Sequence, residues 1–150
     1  MSTPSRTPRQ VFTAVLDGVT GQDWAGLPDL YAEDCVVEHP HAPGAGRIEG
    51  REAIREHFAR AGDAPREMRV ENLVVHETAD PEVVIGEFDY VGRMPGTGRS
   101  FRARNIFVTR VRDGRIVESR DYADHVTISW AAGRPEELLA AADRAGGAAN

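Results

Sequence analysis

The run that decides the fold is "SFRARNIFVTRVRDGRIVESRDYADHVTI", residues 100–128. Two stretches rich in β-branched and aromatic residues flank the turn signal "RDG" (112–114), which predicts a pair of antiparallel strands. Side chains alternate faces along a strand, so Ala103, Asn105, Phe107 and Thr109 share one face and Arg102, Arg104, Ile106 and Val108 the other. The same alternation groups Ser119, Asp121, Ala123 and His125 against Glu118, Arg120, Tyr122 and Asp124. Only one set can line a pocket. The small residues around Asp121 suit a face that borders a cavity, and Asn105 is then a candidate hydrogen-bond donor into it. The alternative is a charged outer face on which Arg120 pairs with a neighbour.

Working outward, "MRVENLVVHET" (68–78) and "DPEVVIGEFDYVGRM" (80–94) have the same strand character, with turn signals at "ADP" and "PGTG". Together they give a meander of four antiparallel strands. Upstream, "IEGREAIREHFARAG" (48–62) starts at a glycine, places Ile54 and Phe58 on one face and stops at Gly62, as a helix does. In "RQVFTAVLDGVTGQDWAGLPDLYAED" (9–34), apolar residues fall at helical spacing at Val11, Val15, Leu16 and Val19. They recur at Trp24, Leu27, Leu30 and Tyr31. Asp23 in the "TGQD" break can cap the second group, which predicts two short helices. Downstream, "RPEELLAAADRAGGAAN" (134–150) reads as a terminal helix that frays into a disordered tail. Helices first and a curved antiparallel sheet afterwards predict an α+β fold, a cone in which three N-terminal helices close one side of an interior pocket.

A chain of 150 residues fits one domain with a real core. Its 24 acidic and 18 basic residues give a net charge of -6, which argues against nucleic acid or an anionic membrane as partner and for a small molecule. "MSTPSRTPRQ" lacks the apolar centre of a signal peptide and no run is long enough to span a bilayer, so the expected location is cytoplasmic. Cys35 is the sole cysteine, which leaves no internal disulfide and no cysteine-based zinc cage.

Two of the five histidines flank one proline in "CVVEHPHAPGAG" (35–46), a short strand that ends in a loop. Metal ligation by His39 and His41 would need a third and usually a fourth ligand, and none stands at a suitable spacing. No metal and no cofactor is therefore expected. An imidazole titrates near neutral pH, so His39 can take and return a proton, whereas the alternative is a hydrogen-bonded or solvated strand-end histidine. His41 reads as loop.

"WAGLPDLYAEDCVVEHP", "GREAIREHF" and the meander that ends in "DGRIVESRDYADH" resemble the SnoaL-like group of the nuclear transport factor 2-like superfamily. That group includes ketosteroid isomerases, polyketide cyclases and phenazine-biosynthesis A/B-type proteins. The resemblance spans roughly residues 8–130 and implies a cystatin-like α+β barrel. Residues 1–7 are left as a flexible N-terminus and 131–150 as the C-terminal helix and tail. In ketosteroid isomerases the segment that reads "VVEHP" here carries the proton-shuttling aspartate, so His39 stands in that place. His57 falls where that group keeps an aromatic wall, Asn105 falls near its oxyanion-hole aspartate, and Val15 replaces its oxyanion tyrosine. "HETADPEVVIGEFDYVGR" and "DGRIVESRDY" are closer to the phenazine A/B-type proteins, whose catalytic glutamate aligns with Asp121 and whose catalytic histidine aligns with Glu71.

The resemblance and the residues together imply an enzyme that uses acid/base catalysis without a cofactor on a small hydrophobic, carbonyl-bearing metabolite. The reaction would be an isomerisation, cyclisation or dehydration in secondary metabolism. His39 is the expected proton shuttle and Asp121 its acid or orienting partner. His57 and Asn105 would position or polarise the substrate, and Trp24, Phe88, Tyr90 and Phe107 would form apolar walls. The face of Arg102, Arg104, Ile106 and Val108 mixes charge with apolar area and suggests a homodimer. The rival expectation is a non-catalytic ligand-binding or assembly module on the same fold.

Overall fold

The computed structural model describes residues 3–44 and 46–148. The first two residues of the expected flexible N-terminus and the last two of the expected frayed tail lie outside the described residues. Helix α1 (Pro8–Thr20) begins where sequence chemistry places it. Thr7 Oγ1 accepts from the Gln10 backbone N–H at 3.2 Å, Gln10 Oε1 accepts from the Thr7 N–H at 2.9 Å, and Pro8 needs no partner at the first helical position. The helix buries Val11, Phe12, Val15 and Leu16.

The second expected helix is not there. Asp23 does cap, accepting from the Gly26 N–H at 3.1 Å, but only a 3-10 turn at Leu27–Leu30 follows, and Tyr31 already opens strand β1 (Tyr31–Glu38). Pro28 supplies no N–H and disfavours helical geometry in the residue before it. Leu27 and Leu30 reach the core from one tight turn, so the apolar spacing is satisfied without a helix. Strand β2 (Arg47–Glu49) and helix α2 (Arg51–Gly62) follow, with Ile54 and Phe58 buried as the spacing predicts.

The meander consists of β3 (Glu67–Glu77), β4 (Val83–Met94), β5 (Arg99–Arg112) and β6 (Arg115–Tyr122). Asp113 and Gly114, both at positive φ, form the two-residue turn between β5 and β6. The expectation of a wholly antiparallel sheet is corrected: the six strands run β2-β1-β6-β5-β4-β3, and β1 lies parallel to β6. A parallel neighbour needs a long crossover, here the whole of α2 and β3 to β5, which local turn signals cannot reveal. In β3 a bulge between Glu71 and Val74, with Asn72 at φ 57°, bends the sheet.

A second correction falls after β6. The strand stops at Tyr122, and residues 125–128, read from sequence as a continuing strand, open helix α3 (His125–Ala131). Asp124 caps it, with Oδ1 accepting from the Thr127 N–H at 3.0 Å and Oδ2 from the Thr127 hydroxyl at 2.6 Å. Helix α4 (Pro135–Ala148) brings the helices to four among the described residues, two before the meander where three were expected and two after it. The layering remains α+β. Side-chain alternation holds throughout the hairpin: Ala103, Asn105, Thr109, Ser119 and Asp121 are buried, while Arg102, Arg104, Glu118 and Arg120 are exposed. Among the described residues, no helix is long and apolar enough to cross a membrane.

Candidate active site

Between α1, α2 and the concave face of the sheet lies a cavity of about 140 Å³. Its apolar wall includes Trp24, Val37, Ile54, Phe58 and Phe107, with the Trp24 and Phe58 rings stacked at 6.3 Å. His39, His57 and Asp121 line it, as do Tyr31, Arg66 and Tyr90.

Each functional side chain has a local cause. β1 ends at Glu38, and Pro40 cannot continue a ladder, so the chain turns away just past His39. The His39 N–H bonds to the Gly46 carbonyl at 2.6 Å and its own carbonyl accepts from the Ala42 N–H at 2.9 Å, which fixes its backbone at the strand end. Asp121 sits on the inward face of β6. Its Oδ1 accepts from the Ser119 hydroxyl at 2.6 Å, and Ser119 is within 3.0 Å of the Thr109 hydroxyl. His39 Nε2 and Asp121 Oδ2 are 3.8 Å apart. His57, from α2, lies against His39 with ring centroids 5.5 Å apart, and His125, the first residue of α3, approaches His39 edge-on at 6.0 Å.

The separation of 3.8 Å suits an ion pair by distance but is too long for a hydrogen bond. Burial decides the charge state. Desolvation, helped by His57 and His125, lowers the His39 pKa to about 4. Desolvation raises that of Asp121 to about 7, against the opposing bond from Ser119. Near pH 5 to 6 the proton therefore belongs to the carboxyl and the imidazole is a free base. Burial also lowers His57, with Arg60 and Arg66 adding to the effect. Burial and the nearby Asp121 hold the Tyr31 and Tyr90 hydroxyls protonated, as donors.

The other expected site residues fall elsewhere. Asn105 is buried but does not line this cavity: Nδ2 donates to the Ala103 carbonyl at 3.2 Å and Oδ1 accepts from the Asp124 N–H at 3.2 Å, which ties β5 to the start of α3. Phe88 packs in a core cluster with Phe12, Leu16 and Val84. Both border instead a larger groove of about 920 Å³ that also holds His41, Ile106 and Leu139. We place the candidate site in the smaller cavity because the buried acid and base meet there. His41 lies against Tyr122, ring centroids 5.4 Å apart. Among the described residues, no three His, Cys, Asp or Glu side chains are grouped to hold a metal ion.

Sequence reasoning missed Tyr31, Arg66 and His125. Tyr31 was read into a helix that does not form. His125 was given the Asp121 face as a strand residue, and it reaches His39 from a helix instead. The "DHVT" spacing, an aspartate three residues before a threonine, was the signal for that helix. Arg66 stands in a short connection with no periodic pattern, and nothing local marks it.

Residues 12–119 match the family model of the SnoaL-like domain. The chain is 34% identical over 117 residues to YesE of Bacillus subtilis, a protein of uncharacterized function, covering 75% of this chain and 78% of YesE. It is 37% identical over 102 residues to the uncharacterized PhzA/B-like protein PA3332 of Pseudomonas aeruginosa, covering 67% and 72%. Among solved structures, a Bacillus subtilis protein provisionally named an isomerase superposes with a TM-score of 0.77 at 29% identity, covering 84% of this chain and 92% of that one.

Proposed function

The chain belongs to the SnoaL-like domain family, and from that premise we propose that it is a small-molecule enzyme that moves a proton on a carbonyl-bearing substrate with its own acid and base. The observation that carries this reading is the His39–Asp121 pair, 3.8 Å apart at the edge of an apolar cavity, with the imidazole deprotonated and the carboxyl protonated. A neutral imidazole can abstract a proton from the carbon next to a carbonyl. The developing oxyanion needs donors in a site of low dielectric, and the protonated Asp121 and the Tyr31 and Tyr90 hydroxyls line the same cavity. Return of the proton to a second carbon gives an isomerisation; its use in ring closure or loss of water gives a cyclisation or dehydration. His57, packed on His39, keeps that ring in place.

The test follows exchange of carbon-bound protons for deuterium by NMR on a panel of enolisable ketones and oxo acids. His39→Ala and Asp121→Asn should each lower the rate per folded molecule by about 10²- to 10⁴-fold, the usual weight of a general acid or base. Equal rates in variant and parent protein leave a binding module as the better reading.

The homodimer has its own support. Val74, Glu87 and Ile106 face each other across β3, β4 and β5, and Val74 and Ile106 are 49% and 43% exposed. We read this row, two exposed apolar side chains on either side of Glu87, as the seat of a second copy of the chain. Sedimentation should give a dimer that Ile106→Glu dissociates; a monomer in the parent protein refutes it.

A further inference from the structure

The cavity holds one cation and nothing to balance it. Its titratable lining is Tyr31, His39, His57, Arg66, Tyr90 and Asp121. Tyrosines are neutral, both imidazoles are lowered by burial and the carboxyl is raised, so the lining carries no fixed negative charge below about pH 7. Arg66 remains. Its Nε is buried and has no hydrogen-bond partner, and the titratable groups it feels are Tyr90 and Arg134 rather than a carboxylate. Its backbone is held by the Gln22 side chain, whose Nε2 donates to the Arg66 carbonyl at 2.8 Å. A buried guanidinium N–H without a partner costs stability and persists where a ligand completes it.

We propose that the cavity takes a small organic anion, a carboxylate on a single ring or a chain of similar bulk, and that the guanidinium of Arg66 receives the carboxylate. The volume sets the size: a cavity near 150 Å³ accommodates benzene, and this one is about 140 Å³. A four-ring steroid would exceed it. Arginine presents a planar fork that matches a carboxylate, and in a dry site each charge-assisted bond is stronger than its neutral counterpart. With the carboxylate held at Arg66, the rest of the molecule extends along the aromatic wall toward His39. This assignment of substrate class rests on the reading of the cavity as the substrate site.

The experiment measures Kd at pH 6, where Asp121 holds its proton and benzoate is ionised, for benzoate and for its neutral isostere benzamide by NMR titration. The parent protein should bind benzoate at least tenfold more tightly. Arg66→Met should abolish that preference while leaving benzamide binding unchanged, and Arg55→Gln, on the exposed face of α2 beside Glu52, should leave the preference intact. Equal binding of the two probes, binding of neither, or a preference that survives in Arg66→Met overturns the proposal. Should Arg66→Met not fold, Arg66→Lys decides: a preference reduced threefold or more supports the fork, and an unchanged one overturns it. The two readings fail separately. Benzoate preference without deuterium exchange on any substrate removes the catalytic reading and leaves this one, whereas His39-dependent exchange with equal binding of the two probes does the reverse.

Discussion

At the scale of single residues, His39 and Asp121 exchange a proton between the unfolded and folded chain. Unfolded, with ordinary values of 6.5 and 3.8, the imidazole is protonated and the carboxyl ionised between about pH 4 and 6.5. Folded, the carboxyl holds the proton. Each state binds one, so the pair adds no slope to stability in that window. Removing either partner exposes the other. In Asp121→Asn the lowered His39 remains; its contribution is complete above pH 6.5 and is lost as pH falls toward 4, so stability should rise with pH by up to about 1.4 kcal/mol per unit. In His39→Gln the raised Asp121 remains; its contribution is complete below pH 3.8 and is lost as pH rises toward 7, so stability should fall with pH. His57 and His125, also lowered by burial, add a common slope that cancels when each variant is compared with the parent. Urea unfolding at pH 4.5, 5.5 and 6.5 distinguishes these outcomes, and parallel curves for all three proteins would refute the neutral pair. Turnover needs the neutral imidazole and the protonated carboxyl together, so its pH profile should have limbs near 4 and 7 that belong to the pair.

At the scale of elements, the sequence reading succeeded where one period dominates and failed where two local rules compete. Alternation along 100–122 placed Asp121 inside and Arg104 and Arg120 outside because a strand buried on one face tolerates no slip. The histidine at the end of β1 was legible because Pro40 ends the strand. The stretch 125–131 was not, because Val126, Thr127 and Ile128 favour strands while Asp124 and Thr127 form a cap, and the cap prevailed once the sheet edge ended. The joint between β6 and α3 also explains Asn105. Its side chain satisfies the Ala103 carbonyl and the Asp124 N–H, so Asn105→Ala should lower stability by about 1–3 kcal/mol, the usual cost of buried groups left unpaired. Rate per folded molecule should hardly change. A loss of rate at unchanged stability, read from paired unfolding and exchange measurements, would return Asn105 to the substrate. Arg66 and the parallel pairing of β1 with β6 depend on contacts between distant segments, which no local pattern reports.

At the scale of the whole molecule, the cavity depends on how α1 is pressed against the sheet. Phe12 is the pressing point: its ring meets Phe88 and Phe107 edge-on at 6.0 and 6.3 Å and lies over Gly86 on β4. A Cβ at Gly86 would overlap that ring. One and two turns along the same helix, Val15 and Val19 form part of the cavity wall. The fit at Gly86 therefore sets the depth of a pocket that Gly86 does not touch. Gly86→Ala should cost roughly 1–3 kcal/mol through overpacking, because Phe88 and Phe107 leave the ring no empty space to enter. For a chain of this length that is a fall in Tm of about 2–10 °C. Benzoate affinity should change with it as α1 lifts. Phe12→Leu alone should also destabilise, by leaving a void, but in the Gly86→Ala background it should recover part of the lost stability, since the smaller side chain admits the new methyl. A double-mutant cycle by thermal and urea unfolding measures this coupling. Additive effects of the two substitutions would show that α1 is held by other contacts and that the pocket's depth is set elsewhere.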